Sequence, residues 1–99
     1  MFGWMTARRI KPGQMAEFMK GWEGSEVKAT NESRPDGLTY DYFLQDTHDP
    51  NRMIGLSIWR DRAAYETYVK TEAEAGRREA MNPNVEAVDE ERFFEVTEY

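Results

Sequence analysis

Four segments with the two-residue alternation of β-strands and two with the apolar stripe of an amphipathic helix follow one another in the order β-α-β-β-α-β. That order predicts an α+β fold of the ferredoxin-like type, a four-stranded antiparallel sheet with two helices on one face. A length of 99 residues predicts one domain, 1–99. Large apolar side chains fall on both faces of the predicted strands, although the helices cover only one. That excess predicts a partner for the open face.

Residues 2–10 alternate, with Phe2, Trp4, Thr6, Arg8 and Ile10 on one face and Met5, Ala7 and Arg9 on the other. Lys11-Pro12-Gly13 stops the strand, and Pro12 is placed to open a helix. Met15, Phe18, Met19 and Trp22 recur at i, i+3, i+4 and i+7, one helical stripe. Gly21 and Gly24 weaken its far end and leave the boundary over 24–30 open. Arg34-Pro35-Asp36-Gly37 is a turn signal. Residues 38–45 alternate again, Asp46 to Asn51 form a hairpin connection, and Arg52 to Trp59 make the third strand.

Asp61 is a predicted N-cap, followed by the stripe Ala64, Tyr65, Tyr68 and Val69. Glu66/Lys70 and Glu74/Arg78 read as i,i+4 pairs on the solvent side of this second helix. Asn82-Pro83 ends it. Asp89-Glu90-Glu91 reads as a solvated loop, and the last strand as about Arg92 to Glu98, with Phe93 and Phe94 on opposite faces. Tyr40 and Phe43, Leu56 and Trp59, and Phe93 and Phe94 put apolar bulk on both sides of the sheet. A homodimer that packs sheet against sheet is the expected assembly.

Composition narrows the function classes. Thirteen basic against nineteen acidic residues give a net charge of −6, which argues against nucleic acid or an anionic membrane as partner. The chain has no cysteine and one histidine, so thiolate chemistry and multi-histidine metal sites are excluded and no metal is expected. No apolar run approaches the ~20 residues of a membrane span, and Met1-Phe2-Gly3-Trp4 lacks the basic region of a signal peptide. A cytoplasmic protein is expected. No P-loop, dinucleotide-binding glycine pattern or nucleophile elbow occurs. Three Trp, five Tyr and five Phe in a hydrophilic chain point to an interior lined with rings.

The run Ile54-Gly55-Leu56-Ser57-Ile58-Trp59-Arg60-Asp61-Arg62-Ala63-Ala64-Tyr65, with Tyr68 following, resembles the antibiotic biosynthesis monooxygenase superfamily of dimeric α+β barrels. Lys11-Pro12-Gly13 and the polar hairpin ending in Asp49-Pro50-Asn51-Arg52 agree with it, and the resemblance spans the whole chain. These motifs specify fold and dimer better than activity. The haem-degrading branch uses an Asn, a Trp and a His where this chain has Thr6, Tyr68 and Arg78. With the iron ligand missing, haem degradation is disfavoured. The resemblance implies instead a cofactor-free monooxygenase, in which a deprotonated phenolic or anthrone-type substrate itself reduces O2. The protein's part is then to orient the substrate, stabilise its anion and exclude water. A non-catalytic dimer that binds a small hydrophobic molecule is the alternative, favoured by the lack of an obvious catalytic base. An isomerase or cyclase is a third.

The candidate residues follow from both lines. Tyr68 stands where the haem branch has its functional Trp, and Tyr65 shares its helix face; these two are the catalytic candidates. Trp22, Arg8 and Thr6 are the substrate-binding candidates. Each has a plainer reading: core packing for Trp22 and Tyr65, an ion pair for Arg8, strand preference for Thr6. His48 reads as an exposed turn residue, Asp41 as an ion-pair partner in mid-strand, and Trp59 as structural packing beside the second helix.

Overall fold

The computed structural model describes residues 1–23 and 35–99; the boundary expected over 24–30 lies outside them, as does Arg34. Strand β1 runs Phe2–Ile10, helix α1 Met15–Glu23, β2 Leu38–Gln45, β3 Arg52–Trp59, α2 Arg62–Val69, α3 Glu72–Met81 and β4 Val85–Glu95. The sheet order is β2-β3-β1-β4, with each neighbouring pair antiparallel. This is the ferredoxin-like α+β fold expected from the sequence.

The face of β1 that carries Phe2, Trp4, Thr6, Arg8 and Ile10 lies under the helices. The rings of Phe2 and Trp4 pack against Tyr65 of α2, and Ile10 shares a core cluster with Met15 and Phe18 of α1. Register carries that face into β3 at Met53, Gly55, Ser57 and Trp59. Two apolar clusters result. One joins Ile10, Met15, Phe18, Met53 and Met81, and the other Phe2, Trp59 and Ala64.

Short local signals set the ends of the elements. Lys11-Pro12-Gly13 makes a turn, closed by Gln14 N donating to the Lys11 carbonyl at 3.0 Å, so Pro12 lies before the helix rather than in its first turn. Leu38 N donates to the Pro35 carbonyl at 3.1 Å, and Gly37 takes a φ of 85°. In the β2–β3 hairpin the Asp46 carboxylate accepts from His48 N at 2.7 Å and Asp49 N at 3.2 Å, an Asx-type turn. His48 is exposed there, as expected. Asp61 caps α2, accepting from Ala64 N at 2.8 Å.

Three further expectations are corrected. The second helix is two helices, α2 and α3, broken after Val69, where Thr71 becomes the N-cap of α3 and accepts from Glu74 N at 3.3 Å. Thr71 and Glu74 have the spacing of a capping box, a start signal inside what reads as one stripe. The last strand begins at Val85 and ends at Glu95, so Asp89-Glu90-Glu91 are strand residues rather than a loop. β4 is an edge strand, where charged side chains are tolerated because one side of the strand meets solvent. Finally, Glu74 is not on the solvent side: it is 1% exposed. Glu66 does lie outside, and pairs back to Arg62 at 3.0 Å.

The opposite face of the sheet carries Tyr40, Tyr42 and Leu44 from β2, in register with Ile58, Leu56 and Ile54 of β3. The three β2 side chains are exposed, Leu44 by 46%, and Tyr40 and Tyr42 stack at 6.1 Å. Phe94 of β4 extends the same surface beside Gly3. Phe93 points the other way, toward Phe2 and Tyr65, as the alternation predicts.

Candidate functional site

Beside the two apolar clusters the fold buries a few polar side chains. Thr6, Arg8, Ser57 and Glu74 are the buried polar or charged residues among those described. Burying polar groups is costly unless each is hydrogen-bonded, and buried charge must also be compensated. The hydrogen-bonding condition is met: among the described residues no buried side-chain nitrogen or oxygen lacks a partner.

Arg8 is one of these buried groups. Its Nη1 donates to Thr6 Oγ1 at 2.7 Å, and its guanidinium carbon lies 5.9 Å from the centre of the Trp22 ring. A guanidinium over an indole face is a favourable cation–π arrangement, stronger where water is excluded. Trp22 comes from the last turn of α1 and meets Phe43 of β2 edge-on at 5.5 Å. The structure therefore brings Thr6, Arg8 and Trp22 together. Trp22 also packs against the α1 cluster, as its core reading expects.

A second group is aromatic. Tyr65 sits among Trp4 at 5.0 Å, Phe2 at 5.2 Å, Phe93 at 5.6 Å and Trp59 at 6.1 Å. Burial pushes its phenol above the ordinary range, and the negative charge of Glu91 adds to the shift. Trp59 is buried, with Tyr68 5.0 Å away and its Nε1 donating to Ser57 Oγ at 2.9 Å. That is the structural packing expected of it.

Tyr68 carries the clearest polar contact. Its hydroxyl donates to Glu74 Oε2, and Arg78 Nε donates to the other oxygen, Oε1, at 2.9 Å. Arg78 in turn lies over the Trp4 ring at 5.6 Å, and Trp4 Nε1 donates to Glu91 Oε2 at 3.0 Å. Tyr68, Glu74, Arg78, Trp4 and Glu91 thus form one chain of contacts from α2 through α3 to β1 and β4. Sequence reasoning missed Glu74. The signal that could have found it is Thr71-x-x-Glu74, which restarts the helix and turns Glu74 away from the face that a continuous helix assigns it.

Asp41 is exposed on β2, paired in register with Ser57. An open groove of about 350 Å³ lies at the end of the sheet, between Phe2, Phe93 and the Arg60–Arg62 start of α2. None of the five site residues expected from sequence lines it. Among the described residues no three His, Cys, Asp or Glu side chains are grouped to hold a metal ion, and no helix is long and apolar enough to cross a membrane.

The chain is similar to solved structures over nearly its whole length. A candidate antibiotic biosynthesis monooxygenase from Chloroflexus aurantiacus superposes with a TM-score of 0.81 at 17% identity, covering 99% of this chain and 95% of that one. One from Caulobacter crescentus gives 0.83 at 17% identity, covering 98% and 90%. A conserved protein from Methanosarcina mazei gives 0.81 at 14%, covering 94% and 89%. At such identities these likenesses establish the fold. No curated protein matches the chain significantly in sequence. The family model for antibiotic biosynthesis monooxygenases, however, matches residues 1–76, which takes in β1 through α2 and the start of α3, and the chain belongs to that family.

Proposed function

We propose that this protein is a cofactor-independent monooxygenase acting on a small aromatic or polyketide-like compound, working in the cytoplasm as a homodimer of single-domain chains. The observation that carries the reading is the burial of Thr6, Arg8, Ser57 and Glu74 together with ring-bearing apolar clusters. A buried cation suits an aromatic anion, and the surrounding rings suit its flat apolar body. Tyr68 and Tyr65 are the catalytic groups in this proposal, with Trp22, Arg8 and Thr6 binding substrate. The exposed apolar face of Tyr40, Tyr42, Leu44 and Phe94 supports the dimer.

The test is oxygen uptake by metal-stripped protein with a panel of anthrones and hydroquinones, with boiled protein as control and tryptophan fluorescence followed in parallel. Protein-dependent uptake without flavin or metal is the expected result. Quenching without uptake would instead support a second reading, a dimeric binding protein for small hydrophobic molecules. The complete pairing of the buried polar side chains among the described residues favours that reading, since it makes for a rigid, satisfied interior.

A further inference from the structure

We propose that Tyr68 and Glu74 act together as the proton-abstracting unit of the site, with Tyr68 meeting the substrate and Glu74 receiving the proton through it. This rests on the oxygenase reading only for its substrate class, an aromatic ketone or phenol with an acidic C–H or O–H.

Three observations carry the inference. Glu74 is the most buried polar residue described, at 1% exposure, so no substrate touches it directly. It is bonded on one oxygen to the hydroxyl of Tyr68, which is itself partly exposed, and on the other to Arg78. Arg78 supplies the compensating charge a buried carboxylate requires. A sealed carboxylate bonded to the hydroxyl of a partly exposed tyrosine has the layout of a relay. Tyr65 stands beside it on the same helix, close enough for the Glu74 charge to act on its phenol.

The step balances without an oxidant. The substrate C–H or O–H bond breaks as a new bond forms from that proton to Tyr68 Oη. The original Tyr68 O–H bond breaks as its proton passes to Glu74 Oε2. The electron pair stays on the substrate as enolate or phenolate, and the negative charge moves from Glu74 to the substrate. Tyr68 is then the catalytic residue and Glu74 acts through it.

Anaerobic hydrogen–deuterium exchange at the acidic methylene of anthrone, followed by NMR in D2O, isolates this step from oxygen chemistry. Wild-type protein is expected to accelerate exchange over boiled protein. Glu74→Gln and Tyr68→Phe are each expected to lose at least tenfold of that acceleration, in kcat rather than KM, and the double variant no more than the worse single one. A shared loss of that kind marks a single unit. Anthrone binding, read by tryptophan fluorescence, should persist in the variants, which a merely structural role for the pair does not predict. Tyr68→Phe keeps Glu74 and Arg78 paired, so it stands as the test if Glu74→Gln does not fold. Exchange within twofold of wild type in the variants, or no exchange by wild type, overturns the proposal. Exchange without oxygen uptake in air would sustain the relay while refuting the oxygenase reading.

Discussion

Trp22 rests directly on the sheet at Gly55. A methyl group at Gly55 would lie 2.3 Å from Trp22 Cη2 and 2.9 Å from Cζ3, closer than side chains approach one another. The missing side chain on β3 is what lets the indole of α1 reach the level of Thr6 and Arg8. Helix, strand and the Arg8 guanidinium are registered by that one absence.

Gly55→Ala should therefore displace Trp22. The expected cost is about 1–3 kcal/mol, as for other overpacked core sites, with a shift in tryptophan fluorescence. Urea unfolding checks the first and emission spectra the second. An unchanged spectrum would mean that the indole does not sit on β3.

Thr71 joins the two helices of the second crossover. Its Oγ1 accepts from Glu74 N and donates to the Tyr68 carbonyl at 2.7 Å. Thr71→Ala is expected to cost about 1 kcal/mol, as loss of an N-cap does. Thr71→Ser should restore most of it in the same urea measurement.

Tyr65 should be distinguishable from the other tyrosines in an alkaline titration. Its folded-state value is raised, chiefly by burial and then by Glu91, so the folded chain holds this proton after the unfolded chain has released it. Stability is unaffected below the unfolded value near 10 and falls as pH rises from there through the folded value. Tyr65→Phe should flatten that alkaline decline, and the absorbance change of tyrosinate formation should lose a component that titrates above the ordinary phenol range.

Asp61 acts at the opposite limb. Its carboxyl is held below the usual range, first by the bond from Ala64 N and also by Arg60. A depressed folded value means the contribution is complete above the unfolded value near 4 and is lost as pH falls through the folded one. Asp61→Asn should keep the α2 cap yet show a flatter acid limb in thermal melts. An acid limb as steep as wild type would place the dependence elsewhere.

The open sheet face yields the test of assembly. Wild-type protein is expected to scatter light with twice the mass of one chain at micromolar concentration. Leu44→Asp, on a strand face that α1–α3 do not cover, should give the single-chain mass with the helical circular dichroism unchanged. A monomeric wild type would leave the apolar face unexplained and remove the dimer.

Much of this molecule was legible in its sequence because local physics decides it. The alternation of Phe2, Trp4, Thr6, Arg8 and Ile10 puts those residues on one face whatever lies above them, and the Asp61 cap and the Asn82-Pro83 stop act within a turn. Which face meets the helices was not legible. It is settled by Ile10 with Phe18 and Trp4 with Tyr65, contacts between elements that are far apart in the chain or on different layers. The helix break at Thr71 and the length of β4 were missed for a related reason: charged residues look solvated in sequence, while a capping threonine or an edge strand gives them structural places. Glu74 is the sharpest case. Its i,i+4 spacing to Arg78 is that of a surface pair, and the pair does form, yet only the docking of α3 beside Tyr68 turns the carboxylate inward. Sequence determined the order of the elements and the alternation of the strand faces; the contacts of Thr6, Arg8 and Trp22, and the burial of Glu74 against Tyr68, came from tertiary packing, because desolvation acts only where distant segments meet.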